Sequence, residues 1–387
     1  MQRFTLPAYL ALKEIWRNRG RFLLFSLVIA LITLLVLFIA GLGMGLANSN
    51  REYLSKLDAN LLLYQEKSDY IIAASRIALS KVEDVRNVPG VADAGPIATS
   101  LVAIELSNGG ELKVSLLGVD PGHPGEPEVK DGQQLNPSGL DEVILDQNVV
   151  LRSNLKLGDT ITIRSSQGTD YKLYTLKVVG ITSGQAYTFT PSIFVPISTW
   201  EKTRTKSEAE ISHPSETTNV IAVKLNSNKQ IEKMKEQLDQ GIGGVQAATI
   251  STAIKNVPGY SAQQSTIQTQ GVFTLLIGVL VIGGFFQIQV LQKVPQIGVL
   301  KAIGTSNPVV GLASVIQIVV VTSLGVAIGG LLTFLFSLTF PPNVPIVFNG
   351  QSSLIAIIAL LLIGPIGGFV SIRYAVRIEP LKALRLS

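Results

Sequence analysis

Three stretches of this chain, 22–50, 256–292 and 302–372, contain no Asp, Glu, Lys, Arg or His. Between the first two the pattern changes to short alternations of apolar and polar positions punctuated by Gly and Pro, as expected for a folded, water-exposed region. A helix crossing a bilayer needs roughly 20 predominantly apolar residues. The run Phe22–Asn50 has 29 and would extend about 44 Å as a helix, so a first span over Phe22–Leu46 is predicted, with the remainder in the interface. A second span is placed at Val272–Leu291. The run 302–372 is too long for one helix and is interrupted by Pro341, Pro342 and Pro345. It reads as two spans, Val309–Leu338 and Leu354–Ile372, joined by a Pro-rich loop. Pro365 predicts a kink in the last.

The region between the first two spans, 48–266, is long enough for a core of its own. Leu61–Tyr64 is strand-like. Ser75–Val88 carries Ile77, Val82, Val85 and Val88 at mixed helical spacings before Pro89-Gly90. Leu101–Leu106 and Leu112–Leu117 flank Asn108-Gly109-Gly110, a hairpin signal. Thr160–Arg164 and Leu173–Val179 form a second hairpin around Gly168. Val220–Leu225, a helix over Lys229–Gln240, and Gln246–Ile250 make a strand–helix–strand unit. Two such units, early and late, predict an α+β lobe interrupted by a strand-rich insertion near 118–218.

Composition fits this reading: 15% of residues are charged, against about 25% in ordinary soluble domains, and the mean hydropathy is +0.39. The chain has no cysteine, which excludes disulfides, thiolate zinc sites and Cys nucleophiles. The net charge of +5 is unevenly spread. Residues 1–21, the loop after the second span and the C-terminal tail together hold 11 basic and 2 acidic groups, whereas 47–270 hold 21 basic and 25 acidic ones. That is a membrane topology signal rather than a nucleic-acid footprint. The positive-inside rule places both termini in the cytoplasm and the middle region outside. The rival reading of the first span, a signal peptide, conflicts with its length, since such apolar stretches usually run about 7–15 residues.

Catalytic constellations are missing. There is no G-x-x-x-x-G-K-[ST] phosphate loop and no H-E-x-x-H. The two histidines, His123 and His213, each precede a proline in a polar loop and read as solvated turn residues. The uncharged spans argue against proton- or ion-coupled transport, which usually needs carboxylates or basic groups within the membrane. Gly41 and Gly45, Gly325 and Gly329, and Gly364 and Gly368 stand four apart, a spacing that lets helix backbones approach closely. Met44, near the outer end of the first span, could touch a hydrophobic ligand or a metalloporphyrin, with ordinary packing as the simpler role. Before that span, Leu12, Ile15 and Trp16 with Arg17, Arg19 and Arg21 suit an amphipathic helix in the membrane interface. In the loop 293–308, Ile297, Leu300 and Ile303 form a short apolar stripe between Pro295 and Gly304. An apolar stripe facing the cytosol needs a partner to cover it.

That loop resembles the R-x-x-E-I-G-x-L-[KR]-A-[IL]-G segment of the FtsX/MacB superfamily of ABC-transporter permeases. Ile297, Gly298, Leu300, Lys301, Ala302 and Gly304 match, Lys293 stands where the family often has Arg, and Gln296 replaces the usual Glu. Arg377-Ile-Glu-Pro-Leu-Lys-Ala-Leu-Arg385 resembles the closing segment of that superfamily, with Pro380 and Ala383. Val88-Pro-Gly-Val91, Leu117-Gly-Val-Asp-Pro121, Leu157-Gly-Asp-Thr160 and Ser192–Trp200 are similar to the MacB-type extracytoplasmic domain. Within the superfamily, Leu12-Lys-Glu-Ile15, Val36–Leu46 and Gln292–Gly304 look similar to heme-efflux permeases of the HrtB kind.

The resemblance implies an α-helical membrane protein with four transmembrane helices and a MacB-like α+β extracytoplasmic domain inserted between helices 1 and 2. Its parts would be an amphipathic N-terminal helix (1–21), the first span (22–47), the extracytoplasmic domain (48–266) and an FtsX-like permease domain (267–387). It further implies a homodimer in the plasma membrane of a bacterial cell, without catalytic residues or cofactor of its own. A separate cytoplasmic ATPase would bind ATP and Mg2+ and receive the segment Lys293–Gly304. ATP-driven closure would be transmitted mechanically to the outer domains, exporting a hydrophobic or amphipathic compound such as heme. Membrane lipid and a periplasmic adaptor are further expected partners; nucleic acid is not. Other functions of the superfamily are release of lipoproteins or lipids, efflux of macrolides or antimicrobial peptides, and non-transporting control of a cell-wall hydrolase.

Overall fold

The computed structural model of the chain describes residues 2–107, 109–212, 216–227, 230–341, 344, 346–348 and 350–377. It opens with α1 (Gln2–Arg17) and α2 (Arg19–Lys56). Then come β1 (Leu61–Gln65), β2 (Ile77–Ala78), α3 (Lys81–Arg86), β3 (Val91–Glu105) and β4 (Glu111–Val119). They are followed by β5 (Val129–Gly132), β6 (Glu142–Asp146), α4 (Gln147–Ser153), β7 (Thr160–Gln167) and β8 (Asp170–Thr182). β9 (Ser192–Pro196), α5 (Ile197–Thr203), α6 (Glu208–Ser212), β10 (Thr217–Thr218) and β11 (Val220–Leu225) lead to α7 (Ile231–Gly241), β12 (Val245–Thr249) and α8 (Ile250–Lys255). The chain closes with α9 (Tyr260–Gln292), α10 (Val294–Ala302), α11 (Asn307–Ser337) and α12 (Gly350–Arg377). It divides into two units, Met1–Gly45 with Ser265–Ser387, and Leu46–Gln264.

The second unit is built on one sheet with two parts. In the first part the strand order is β12-β1-β11-β3, all antiparallel neighbours. β1–α3–β3 and β11–α7–β12 are therefore two interleaved strand–helix–strand units, a split βαβ pattern. Val82 and Val85 of α3 and Met234 and Leu238 of α7 pack together over Leu61, Leu63, Ile221 and Val223. The alternate strand positions Leu62, Tyr64 and Ala222 face another core with Tyr53, Leu54 and Ala253. Burial on both faces explains why Leu61–Tyr64 reads as an unbroken apolar run.

In the second part, β3 pairs with β4, β4 with β9, β9 with β6, β6 with β8, β8 with β7, and β7 again with β3. These six strands close a small barrel. Its interior is filled at period two by Ala98, Val102 and Ile104, Val114 and Leu116, Val143 and Leu145, and their counterparts Ile161, Ile163, Leu176, Val178, Ile193 and Val195. Four of its strands, β6 to β9, lie in the strand-rich stretch expected near 118–218, whereas β3 and β4 come before it, so the barrel is wider than the expected insertion. Both predicted hairpins form, β3–β4 and β7–β8, with Gly109 and Gly168 at positive φ in their turns. Ser75–Val88 is a correction: its helix is confined to α3, because Ile77 and Ala78 pair with Thr218 and Thr217. A distant strand overrides local helical spacing there.

In the first unit, among the described residues, Arg19–Lys56, Tyr260–Gln292, Asn307–Ser337 and Ser353–Arg377 are helices long and apolar enough to cross a membrane. The α+β region lies in the chain between the first of these and the rest. α12 continues through Pro365. Phe22 and Ile29 of α2, Ile282 and Phe286 of α9, Ile318 and Val321 of α11, and Leu360 and Ile363 of α12 form the bundle core.

Glycines set how closely these helices approach. A Cβ on Gly325 would meet Ile29 and the Ser26 carbonyl of α2, and one on Gly329 would lie 2.5 Å from the Ala30 carbonyl oxygen. On α12, Gly364 faces Thr322 and Gly368 faces Ile318 of α11. Gly41 of α2 lies against Phe348, and its carbonyl accepts from Val347 N at 3.1 Å; Gly45 is buried on the same helix. A further contact was not foreseen: Gly283 of α9 and Gly367 of α12 meet backbone to backbone.

Candidate functional site

The candidate site lies at the end of the membrane unit that carries the basic residues, where α1, α9, α10, α11 and α12 converge. α10 is a short helix started by Pro295 in its first turn. It ends at Gly304, whose φ of +99° an L side chain would resist. Gly304 N and Thr305 N donate to Lys301 O and Leu300 O, closing the helix end.

The expected stripe Ile297, Leu300 and Ile303 does not share one face. Ile297 is 8% exposed and packs with Val290, Val310 and Ala375, and Gly298 is buried beside it. Leu300 is half-buried. The outward side consists instead of Gln296, Val299, Ala302 and Ile303, with Ile303 76% and Val299 47% exposed. Apolar residues surround so much of this nine-residue helix that spacing alone could not choose its outward face.

Charged and amide groups pin α10 to its neighbours. Lys293 forms an ion pair with Glu14 of α1, and Gln317 Nε2 of α11 donates to the same carboxylate at 2.6 Å. Lys293 Nζ also lies 3.4 Å from Gln317 Oε1 and 5.5 Å from the centre of the Phe22 ring. At the far end of α10, Lys301 Nζ donates to Val376 O at 2.7 Å, and partial burial pushes its ammonium below the ordinary lysine range. Arg21 donates to Gln292 Oε1 at 2.9 Å. Glu14 and Gln317, 303 residues apart, were missed from sequence. The available signal was Gln317 itself, an amide isolated in an apolar span.

α1 is amphipathic, but with a different outward face from the one expected. Ile15 turns inward onto the bundle core, while Leu12 and Trp16, the latter 78% exposed, line up with Leu6 and Tyr9 on the outside. Arg17 and Arg19 are exposed. Between α1, α10 and the bundle lies a cleft of about 600 Å³, lined among others by Leu10, Glu14, Phe286, Gln289 and Lys293. Met44 is half-buried on α2.

In the second unit, His123 lies partly exposed in a turn, as expected, but it has charged partners there. Its Nδ1 lies 3.0 Å from both Asp93 carboxylate oxygens, and Arg86, donating to Asp120 at 2.8 Å and to Ala94 O at 2.7 Å, completes a charged network. His213 and the closing-segment residues Pro380 and Ala383 lie outside the described residues. Asp146 is buried at the start of α4, accepting from Asn148 N and Gln185 N at 3.0 Å. Burial raises its carboxyl above the ordinary range despite these donors. Among the described residues, no cluster of three His, Cys, Asp or Glu side chains is arranged to hold a metal ion.

Comparison with known proteins decides the family. Residues 22–240 match the MacB-like periplasmic core domain, and residues 270–380 match the FtsX-like permease C-terminal domain. The chain belongs to the FtsX/MacB family of ABC-transporter permeases. This permease is 26% identical over 97% of its length to 98% of a putative hemin transport system permease protein HrtB from Staphylococcus epidermidis. It is 24% identical over 96% of its length to 97% of an uncharacterized ABC transporter permease from Mycobacterium tuberculosis. The crystal structure of the periplasmic region of MacB from Actinobacillus actinomycetemcomitans aligns with 52% of the permease and 94% of that chain, at 16% identity and a TM-score of 0.36. The homologues are ABC transporter permease subunits, not themselves enzymes, and the family implies a cytoplasmic ATPase partner.

Proposed function

We propose that this permease works as a homodimer with a separate cytoplasmic ATPase subunit to export an amphipathic compound, heme first among the candidates. The supporting observation is the near full-length similarity to permeases named for hemin transport. In this reading the basic end of the membrane unit faces the cytoplasm, as the positive-inside rule requires. The outward side of α10, with Val299 and Ile303 at its centre, docks into an apolar groove of the ATPase. Lys293, tied to Glu14 and Gln317, and Lys301, tied to α12, pass the ATPase's motion to the helices behind. α2 and α9 each carry residues of both units, so their movement carries force outward without a charged pathway through the bilayer. ATP and Mg2+ belong to the ATPase, and the permease contributes no catalytic residue.

The test is export itself. The permease and its ATPase, produced in a heme-sensitive host, should raise the tolerated hemin concentration several-fold. Val299→Asp with Ile303→Asp should abolish that protection while the protein still reaches the membrane. Protection against a macrolide or accumulation of unreleased lipoproteins, with no change toward hemin, would assign the permease to another branch of its family.

A further inference from the structure

The cleft behind α10 has features that coupling to an ATPase does not require. Gln289 lines it and is 2% exposed, and its amide nitrogen is enclosed and has no hydrogen-bond partner. A buried donor left unpaired is costly, and in a bundle core it is an address for an acceptor. Around Gln289 the lining changes in one direction along α9. Phe286, about 4.5 Å deeper by helical rise, and Ile318 are buried and apolar. Lys293, about 6 Å toward the polar end, is neutralised by Glu14. Lys13, donating to the Tyr9 hydroxyl at 3.2 Å, and Arg17 are exposed and also line the cleft, as cations outside that pair.

An apolar wall, a buried donor and surplus cations are the groups that a phospholipid's acyl chain, ester carbonyl and phosphate require. We infer that this cleft binds one anionic phospholipid of the adjoining leaflet, with the Gln289 amide turning into the cleft to donate to its ester carbonyl and its phosphate facing Lys13 and Arg17. The lipid would wedge between α1 and α10 beside the Glu14–Lys293 pair. The inference does not depend on which compound is exported.

The full-length permease in nanodiscs containing phosphatidylglycerol and phosphatidylcholine can be stripped progressively with detergent and weighed by native mass spectrometry. One phosphatidylglycerol per chain should persist after the annular lipids are lost. Lys13→Gln with Arg17→Gln, both at the cleft mouth, should weaken its retention more than tenfold, at about fivefold per removed cation. Gln289→Leu should weaken it about tenfold, the usual worth of a hydrogen bond to a buried partner. Equal retention of phosphatidylcholine, or replacement of phosphatidylglycerol by added oleate or hemin, would overturn the assignment. So would a Gln289→Leu protein that melts higher yet keeps its lipid, since the amide would then be an unsatisfied core group and nothing more.

Discussion

Two adjacent glycines of α11 provide a matched experiment on how the membrane unit is held together. A Cβ at Gly329 would lie 2.5 Å from the Ala30 carbonyl oxygen and 2.6 Å from Thr33 Cβ on α2, whereas one at Gly330 would meet nothing within 4 Å. Carbon–oxygen contacts normally settle near about 3.3 Å, so Gly329→Ala must push α2 away by most of an ångström. Overpacking of that kind costs about 1–3 kcal/mol. Both substitutions gain the same helix propensity, about 1 kcal/mol, so the difference between them isolates the packing cost. Gly330→Ala should therefore be as stable as the parent or more so, and Gly329→Ala should fall below it by about 1–3 kcal/mol. Gly283→Ala and Gly284→Ala repeat the comparison on α9: the first Cβ lies 2.7 Å from Gly367 O, the second in open space. Reversible unfolding in mixed detergent–SDS micelles reads the difference. Indistinguishable Gly329→Ala and Gly330→Ala proteins would refute the close α2–α11 approach.

Other consequences are as direct. Glu14 and Lys293 are partly buried, so a double-mutant cycle with Glu14→Gln and Lys293→Gln should return a coupling of about 1–2 kcal/mol; a value near zero would mean the pair does not tie α1 to α10. Burial raises the Asp146 carboxyl above its ordinary 3.8, so the unfolded chain releases this proton first. The stability Asp146 provides is then complete below 3.8 and lost as pH rises through the higher folded value. Asp146→Asn should flatten that part of the melting-temperature profile, and an unchanged slope would assign it to another group. Because the chain has no cysteine, Tyr171→Cys and Ile303→Cys each introduce a single exposed thiol. In cells producing the permease without its ATPase, a membrane-impermeant maleimide should label the first in intact cells and the second only after permeabilisation; the reverse would invert the proposed topology.

Much of the architecture was readable from the chain because it is written in local patterns. Uncharged runs mark the spans, and the strand positions Leu61–Tyr64 and Val220–Leu225 recur in β1 and β11. Hairpins around Gly109 and Gly168 followed from turn chemistry. What escaped was set by contacts distant in sequence. The early helix shortens because Thr217 and Thr218 claim Ala78 and Ile77. His123 acquires Asp93 from 30 residues away. The six-strand closure through β7–β3 has no sequence mark of its own. At the candidate site the segment 293–304 stood out by its motif, but the orientation of its helix did not. Ile297 turns inward because Val290, Val310 and Ala375 surround it. Glu14 becomes the partner of Lys293 from a helix distant in sequence. Gln289 and Gln317 were legible as lone amides in apolar helices, although not what they face.

In the proposed function, energy reaches this permease from a separate subunit through the outward side of α10. Affinity purification of the tagged permease, produced together with its ATPase, measures this directly through the ATPase recovered and the ATP hydrolysed. The wild-type permease should bring down an active ATPase, and the Val299→Asp, Ile303→Asp permease, equally abundant in the membrane, should bring down almost none. Hydrolysis by the permease alone, or undiminished ATPase capture by the double variant, would rule out energy transfer through α10.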